Sequence, residues 1–134
     1  MRGTQIAAIT VSIGLGLAAP AFTQVGHPAK GSWIGYWGPT DKDQRRLVLD
    51  MDYVNGKVTG VINPGPKAAK TTASQIDYDT WTLTLEADVP GANGKTAHWV
   101  ATGKLENLGS WNNRRYVGTY KMGAETGKFH VTLH

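Results

Sequence analysis

From Gly31 onward the sequence keeps a period of two. Apolar and polar residues alternate in short runs, and past the N-terminal segment no run sustains a 3.6-residue period over ten or more residues. Successive side chains on a strand point to opposite faces, so this alternation predicts strands with one buried and one wet face. In residues 31–37, Trp33, Gly35 and Trp37 share a face. In residues 45–53, Leu47, Leu49, Met51 and Tyr53 face one way, with Asp50 and Asp52 opposite. Asn55-Gly56 follows, and a type I′ hairpin turn needs positive φ at both central residues, which Asn and Gly tolerate. Residues 57–63 form the return strand, with Val58, Gly60 and Ile62 inward, and Pro64-Gly65-Pro66 ends it because proline cannot donate to a ladder.

The second half repeats the pattern. Residues 71–76 form a weaker strand, and 77–80 a turn. Residues 81–89 set Trp81, Leu83, Leu85 and Ala87 against Thr82, Thr84, Glu86 and Asp88. After a loop at 90–95, residues 98–105 place Trp99, Ala101, Gly103 and Leu105 together. Residues 114–122 do so for Tyr116, Gly118, Tyr120 and Met122, and residues 128–134 for Phe129, Val131 and Leu133. Eight short-linked strands predict an all-β fold, a single eight-stranded antiparallel up-and-down barrel. A two-sheet β-sandwich is the alternative, since the alternation fits both. Gly35, Gly60, Gly103 and Gly118 fall mid-strand on the inward face, and the bends such glycines permit favour barrel closure. An outer-membrane barrel is not expected, because the outward face carries Asp50, Asp52, Lys57, Thr82, Thr84, Glu86 and Lys104.

The N-terminal segment has another logic. Arg2 precedes an uncharged run at 6–19, and Ala19-Pro20-Ala21 offers small residues for cleavage. Residues 1–21 therefore read as a secretory signal peptide. The run is short for a spanning helix, which needs about 20 apolar residues, so no transmembrane span is expected after cleavage. Residues 22–30 are a polar leader, and 31–134 the barrel domain. The expected location is periplasmic or extracellular. The chain has 134 residues and no Cys, which leaves no disulfide scaffold, thiol nucleophile or Cys-linked lipid anchor. An exported domain of this kind depends on its core alone. The net charge of +4 is scattered, so nucleic acid is not an expected partner.

Gly31-Ser32-Trp33 opens the first strand, and Gly-x-Trp at that place resembles the calycin barrels: lipocalins, fatty-acid-binding proteins and avidins. Lys57-Val58-Thr59-Gly60-Val61-Ile62, after the Asn-Gly turn, looks like the second hairpin of an avidin, and Gly109-Ser110-Trp111 repeats the tripeptide. The resemblance implies a barrel across 31–134 in which Trp33 plugs one end and a late-strand arginine, Arg114 or Arg115, packs over it. It implies no particular ligand.

Little in the sequence points to chemistry. His27 lies in the leader, and His98, His130 and His134 face outward. On a strand, His130 and His134 stand about 13 Å apart, too far to share a metal. The pairs Asp41/Asp43, Asp50/Asp52 and Asp77/Asp79 read as turn and solvent-face acids. In Arg45-Arg46 and Arg114-Arg115, one arginine of each pair points outward and the other can point inward. An inward one could bind a carboxylate, pair with a surface acid or lie over Trp33. No catalytic residue, metal site or cofactor is expected. The informative set is aromatic: Trp33, Trp37, Trp81, Trp99, Tyr116 and Tyr120, with Phe129, on the inferred inner face. An eight-stranded barrel holds either packed side chains or one small ligand. The expected function is an exported binding module for a small apolar or aromatic ligand, with those six residues as ligand contacts. The alternatives are a structural or interaction protein with a solid core, and a small-barrel isomerase or cyclase. An enclosed pocket of about 300 Å³ or more reaching the inner aromatics separates the first from the second. An ionisable side chain inside it would be needed for the third.

Overall fold

The computed structural model describes residues 26–91, 94–110 and 112–134. The expected signal peptide, residues 22–25 of the leader and Trp111 lie outside the described residues. Eight strands follow one another: β1 (Gly31–Thr40), β2 (Asp43–Val54), β3 (Lys57–Ile62), β4 (Ala69–Asp77), β5 (Thr82–Pro90), β6 (Thr96–Glu106), β7 (Arg115–Met122) and β8 (Glu125–Leu133). Each pairs antiparallel with the next, and β8 returns to pair with β1 from Trp33↔Leu133 to Gly38↔Lys128. The sheet is therefore a closed up-and-down barrel, and the sandwich alternative falls. No helix among the described residues is long and apolar enough to cross a membrane.

Local chemistry explains the turns. Asn55 and Gly56 have φ of 54° and 81°, which lets Val54 pair with Lys57 across two residues. At the end of β3, Asn63 takes φ 49°, and its side-chain Oδ1 accepts the Val48 N–H at 2.9 Å. Asn tolerates this left-handed conformation because its short polar side chain finds a local partner.

The weaker alternation at 71–76 has a physical cause. The register of β4 against β5 shifts between Thr71 and Ala73, so the inward parity changes within the strand. The β3–β4 ladder has two rungs, Val61↔Lys70 and Ile62↔Ala69. Side chains extend that seam: Thr71 Oγ1 accepts the Gly60 N–H at 2.9 Å, and Ser74 Oγ donates to the Val58 carbonyl at 2.6 Å.

The inward faces form one core. Trp33, Leu47, Leu49, Leu83, Leu85, Trp99, Tyr116, Phe129 and Val131 are all fully buried. Tyr116 and Phe129 meet edge to face at 4.8 Å, and the Tyr116 hydroxyl donates to the Leu83 carbonyl at 2.8 Å. Two of the inward glycines show why the strands come so close. A Cβ on Gly35 would lie 1.8 Å from the His130 carbonyl oxygen, and one on Gly118 2.0 Å from that of Thr102. The space beside Gly103 is occupied too, since a Cβ there would lie 2.8 Å from the tip of the Phe129 ring. These glycines admit neighbours; they do not leave a void.

Trp81 departs from the expectation. It sits in the turn before β5, with φ 55°, and not on the strand. Its carbonyl accepts the Leu105 N–H at 2.9 Å. Positive φ is a genuine outlier for so bulky a residue. A period-two pattern cannot distinguish the first residue of a strand from the last of a turn.

Candidate functional site

The two ends of the barrel differ. At one end the leader folds across the opening. Trp33 Nε1–H donates to the Ala29 carbonyl at 2.8 Å, and Ala29 is fully buried. Arg114 donates through Nη1 to the Pro28 carbonyl at 3.1 Å and through Nη2 to the Leu108 carbonyl at 2.7 Å. Trp33 and Arg114 thus hold adjacent leader carbonyls, whereas Arg115 is exposed on the outer face. His27 stacks on Tyr53, with ring centroids 4.3 Å apart, and Trp81 packs edge-on against Tyr78 at 5.2 Å.

His27 makes this cap sensitive to pH. The Ala29 N–H donates to Nδ1 at 3.1 Å, so Nδ1 carries no proton, and Nε2–H donates to the Tyr78 hydroxyl at 2.9 Å. The fold therefore holds the neutral ring, and burial pushes its pKa below the ordinary value. The unfolded chain then takes up the proton first as pH falls. This contribution to stability is complete above about pH 6.5 and is lost as pH falls through the folded-state pKa. His98 has the opposite sign. Its bonds to Asp88 (3.2 Å) and Glu86 (3.1 Å) raise its pKa, so its contribution is lost as pH rises. In a His98→Gln background, the melting temperature is expected to drop between pH 7 and 5.5, and adding His27→Gln should flatten that slope. Thermal melts across that window check this.

The other end is a mouth whose aromatic and charged groups come from five strands. Trp37 is the last inward residue of β1 before Gly38. Its ring meets Trp99 of β6 at 5.9 Å and Tyr120 of β7 at 5.2 Å. Arg45 pairs with Trp37 in the β1–β2 register, and its guanidinium lies 5.3 Å from the Trp37 ring centroid. Arg45 Nη2 donates to the Tyr120 hydroxyl at 3.3 Å and to Glu125 Oε2, which also accepts the Tyr120 O–H at 2.5 Å. Burial opposes the charge on Glu125, but the hydrogen bonds from Tyr120 and Arg45 outweigh it and hold the carboxyl below its ordinary range. Burial, then the same carboxylate, pushes the Tyr120 phenol up to about 12. The result is a charged clasp over one edge of the mouth.

Beside the clasp lies a recess of about 150 Å³ on Trp37, walled by Ile62, Ala69, Val89 and Pro90, with Asn63 and Lys67 from the β3–β4 loop. Two buried donors at this end, Arg45 Nε and Trp99 Nε1, have no hydrogen-bond partner among the described residues. Such groups in a folded protein call for a water or a ligand.

The six aromatics singled out from the sequence are divided by the fold. Trp37, Trp99 and Tyr120 come together at the mouth. Trp33 and Tyr116 are buried core, and Trp81 is at the capped end. The parity of Ile62 and Val89 was legible in the alternation, but their approach to Trp37 was not. Glu125 carried no sequence signal, because its role depends on closure of the barrel, which sets β8 beside β1 and one strand away from Arg45 on β2. Among the described residues, no group of three or more His, Asp or Glu side chains is arranged to hold a metal ion. No family model, no curated protein and no solved structure matches the chain.

Proposed function

We propose that this chain is an exported binding module that takes a small, single-ring apolar or aromatic ligand at the Trp37 mouth of the barrel. The observation that carries the reading is the recess on Trp37, about 150 Å³ and mostly apolar. The packed interior narrows the ligand. The recess is half the roughly 300 Å³ expected of a binding module, so that expectation is not met, and only a ligand smaller than a drug-sized molecule remains open to the binding reading. A dry apolar cavity of about 150 Å³ suits a benzene-sized guest. Trp37 would supply the stacking face and Ile62, Ala69 and Val89 the walls.

Titration of the protein with phenol, indole and benzoate, followed by tryptophan fluorescence, tests this. Saturable binding is expected for at least one of them. Ala69→Leu fills the recess and should weaken that binding at least tenfold, with overpacking costing the fold about 1–3 kcal/mol. Absence of saturable binding at millimolar ligand, or binding indifferent to Ala69→Leu, overturns the reading. The solid-core alternative then stands, and the complete burial of Trp33, Trp99, Tyr116 and Phe129 favours it.

A further inference from the structure

A large concavity lies outside the barrel, not in it. A groove of about 790 Å³ runs over the outer face of β6, β7 and β8, and residues of the β1–β2 hairpin line the same space. Close packing of Gly127 against Gly38, where a Cβ would lie 2.1 Å from the Gly38 carbonyl oxygen, brings β8 and the end of β1 together along it. Most of its lining residues are exposed, so a ligand would lie along this face and not be enclosed by it.

The register decides the chemistry of the floor. Thr102, Thr119 and Lys128 stand opposite one another on β6, β7 and β8, and Val100, Lys121 and Thr126 form the next row. Neighbouring strands are about 4.8 Å apart, so the positions of each row repeat at that spacing, with one lysine in each row, and the Thr102 hydroxyl already bonds that of Thr84 at 3.2 Å. Val100, the threonine methyls and the lysine stems supply shallow apolar patches between them. Thr40 and Gln44 add polar groups from the hairpin. Two lysines face one carboxylate, Asp41, so the lining carries net positive charge.

We propose that this groove is a second binding site, for an acidic saccharide. A hydroxyl-rich ligand matches a floor made of hydroxyls, and its carboxylate matches Lys121 and Lys128. The lining suits other partners poorly. Tyr120, its one aromatic residue, turns its ring inward against Trp37, so nothing here stacks a nucleobase. Protein interfaces favour exposed aromatic residues and deplete lysine at their centre. The groove is independent of the Trp37 recess, and its test uses different ligands and variants.

The experiment is calorimetric titration of the protein with digalacturonic acid, with maltose as the neutral comparison and tripolyphosphate as a plain anion. Digalacturonate is expected to bind saturably and at least tenfold more tightly than maltose. The double variant Lys121→Gln/Lys128→Gln should weaken it tenfold or more. Thr119→Val keeps the β-branched shape but removes a hydroxyl, and should weaken it several-fold without changing the melting temperature. Tripolyphosphate binding as tightly as digalacturonate would mark an unspecific basic patch and overturn the proposal. So would digalacturonate binding that ignores Thr119→Val, or no binding at all.

Discussion

Replacing Gly35 with alanine is expected to cost at least about 3 kcal/mol, the upper end of what overpacking costs. The added methyl would lie 1.8 Å from the His130 carbonyl oxygen and 2.8 Å from the Val131 Cα. Both are backbone atoms of β8, so no side-chain rotation relieves the clash. The strand must move, and with it the β1–β8 ladder that closes the barrel. A domain of this size has about 5–15 kcal/mol in hand, so the variant should unfold at a much lower urea midpoint or fail to accumulate. Gly109→Ala is the control, because a Cβ there meets nothing within 4 Å and its φ is not in the left-handed region. Urea titrations of the two variants against wild type check the contrast. Equal midpoints for Gly35→Ala and wild type would mean that β1 and β8 are not packed as described.

The second large effect is at Trp33. Trp33→Ala should destabilise the protein by about 3–5 kcal/mol, the range for removing a buried tryptophan. The ring is fully buried, and its N–H holds the Ala29 carbonyl. Two consequences should therefore appear together. The unfolding midpoint should fall, and residues 26–30 should become accessible to hydrogen exchange at denaturant concentrations where the barrel is still folded. Trp37→Ala makes the opposite pair. It should abolish binding of the aromatic ligand while leaving exchange at the leader unchanged, because Trp37 contacts the mouth and not the cap. A Trp33→Ala variant that loses stability without exposing the leader would show that Arg114 and His27 hold the cap unaided.

The contrast between these tryptophans measures how much of the site could be read from the chain. Trp33 and Trp37 are two residues apart on one face, and alternation treats them alike. Their environments differ because β1 runs from the capped end to the open mouth. Which end is capped depends on Pro28 and Ala29 reaching Arg114 and Trp33, a contact between residues 86 apart in one case. Arg45 illustrates the same limit. That one arginine of the pair would face inward followed from strand geometry. That it would lie over Trp37 and meet Glu125, 80 residues further on, depended on the bulged β1–β2 register and on closure of the barrel.

Period-two alternation, the Asn55-Gly56 turn and the inward glycines determined by themselves that this chain makes eight antiparallel strands with one apolar face, because side-chain direction and turn conformation are local properties. Whether the aromatics on that face enclose a cavity or fill it was decided by the tertiary structure alone. The volume left inside a barrel is the difference between two large quantities, the space the strands enclose and the side chains they carry. Here Phe129 takes the room beside Gly103, Trp33 and Tyr116 are sealed in, and a recess of about 150 Å³ is left on Trp37.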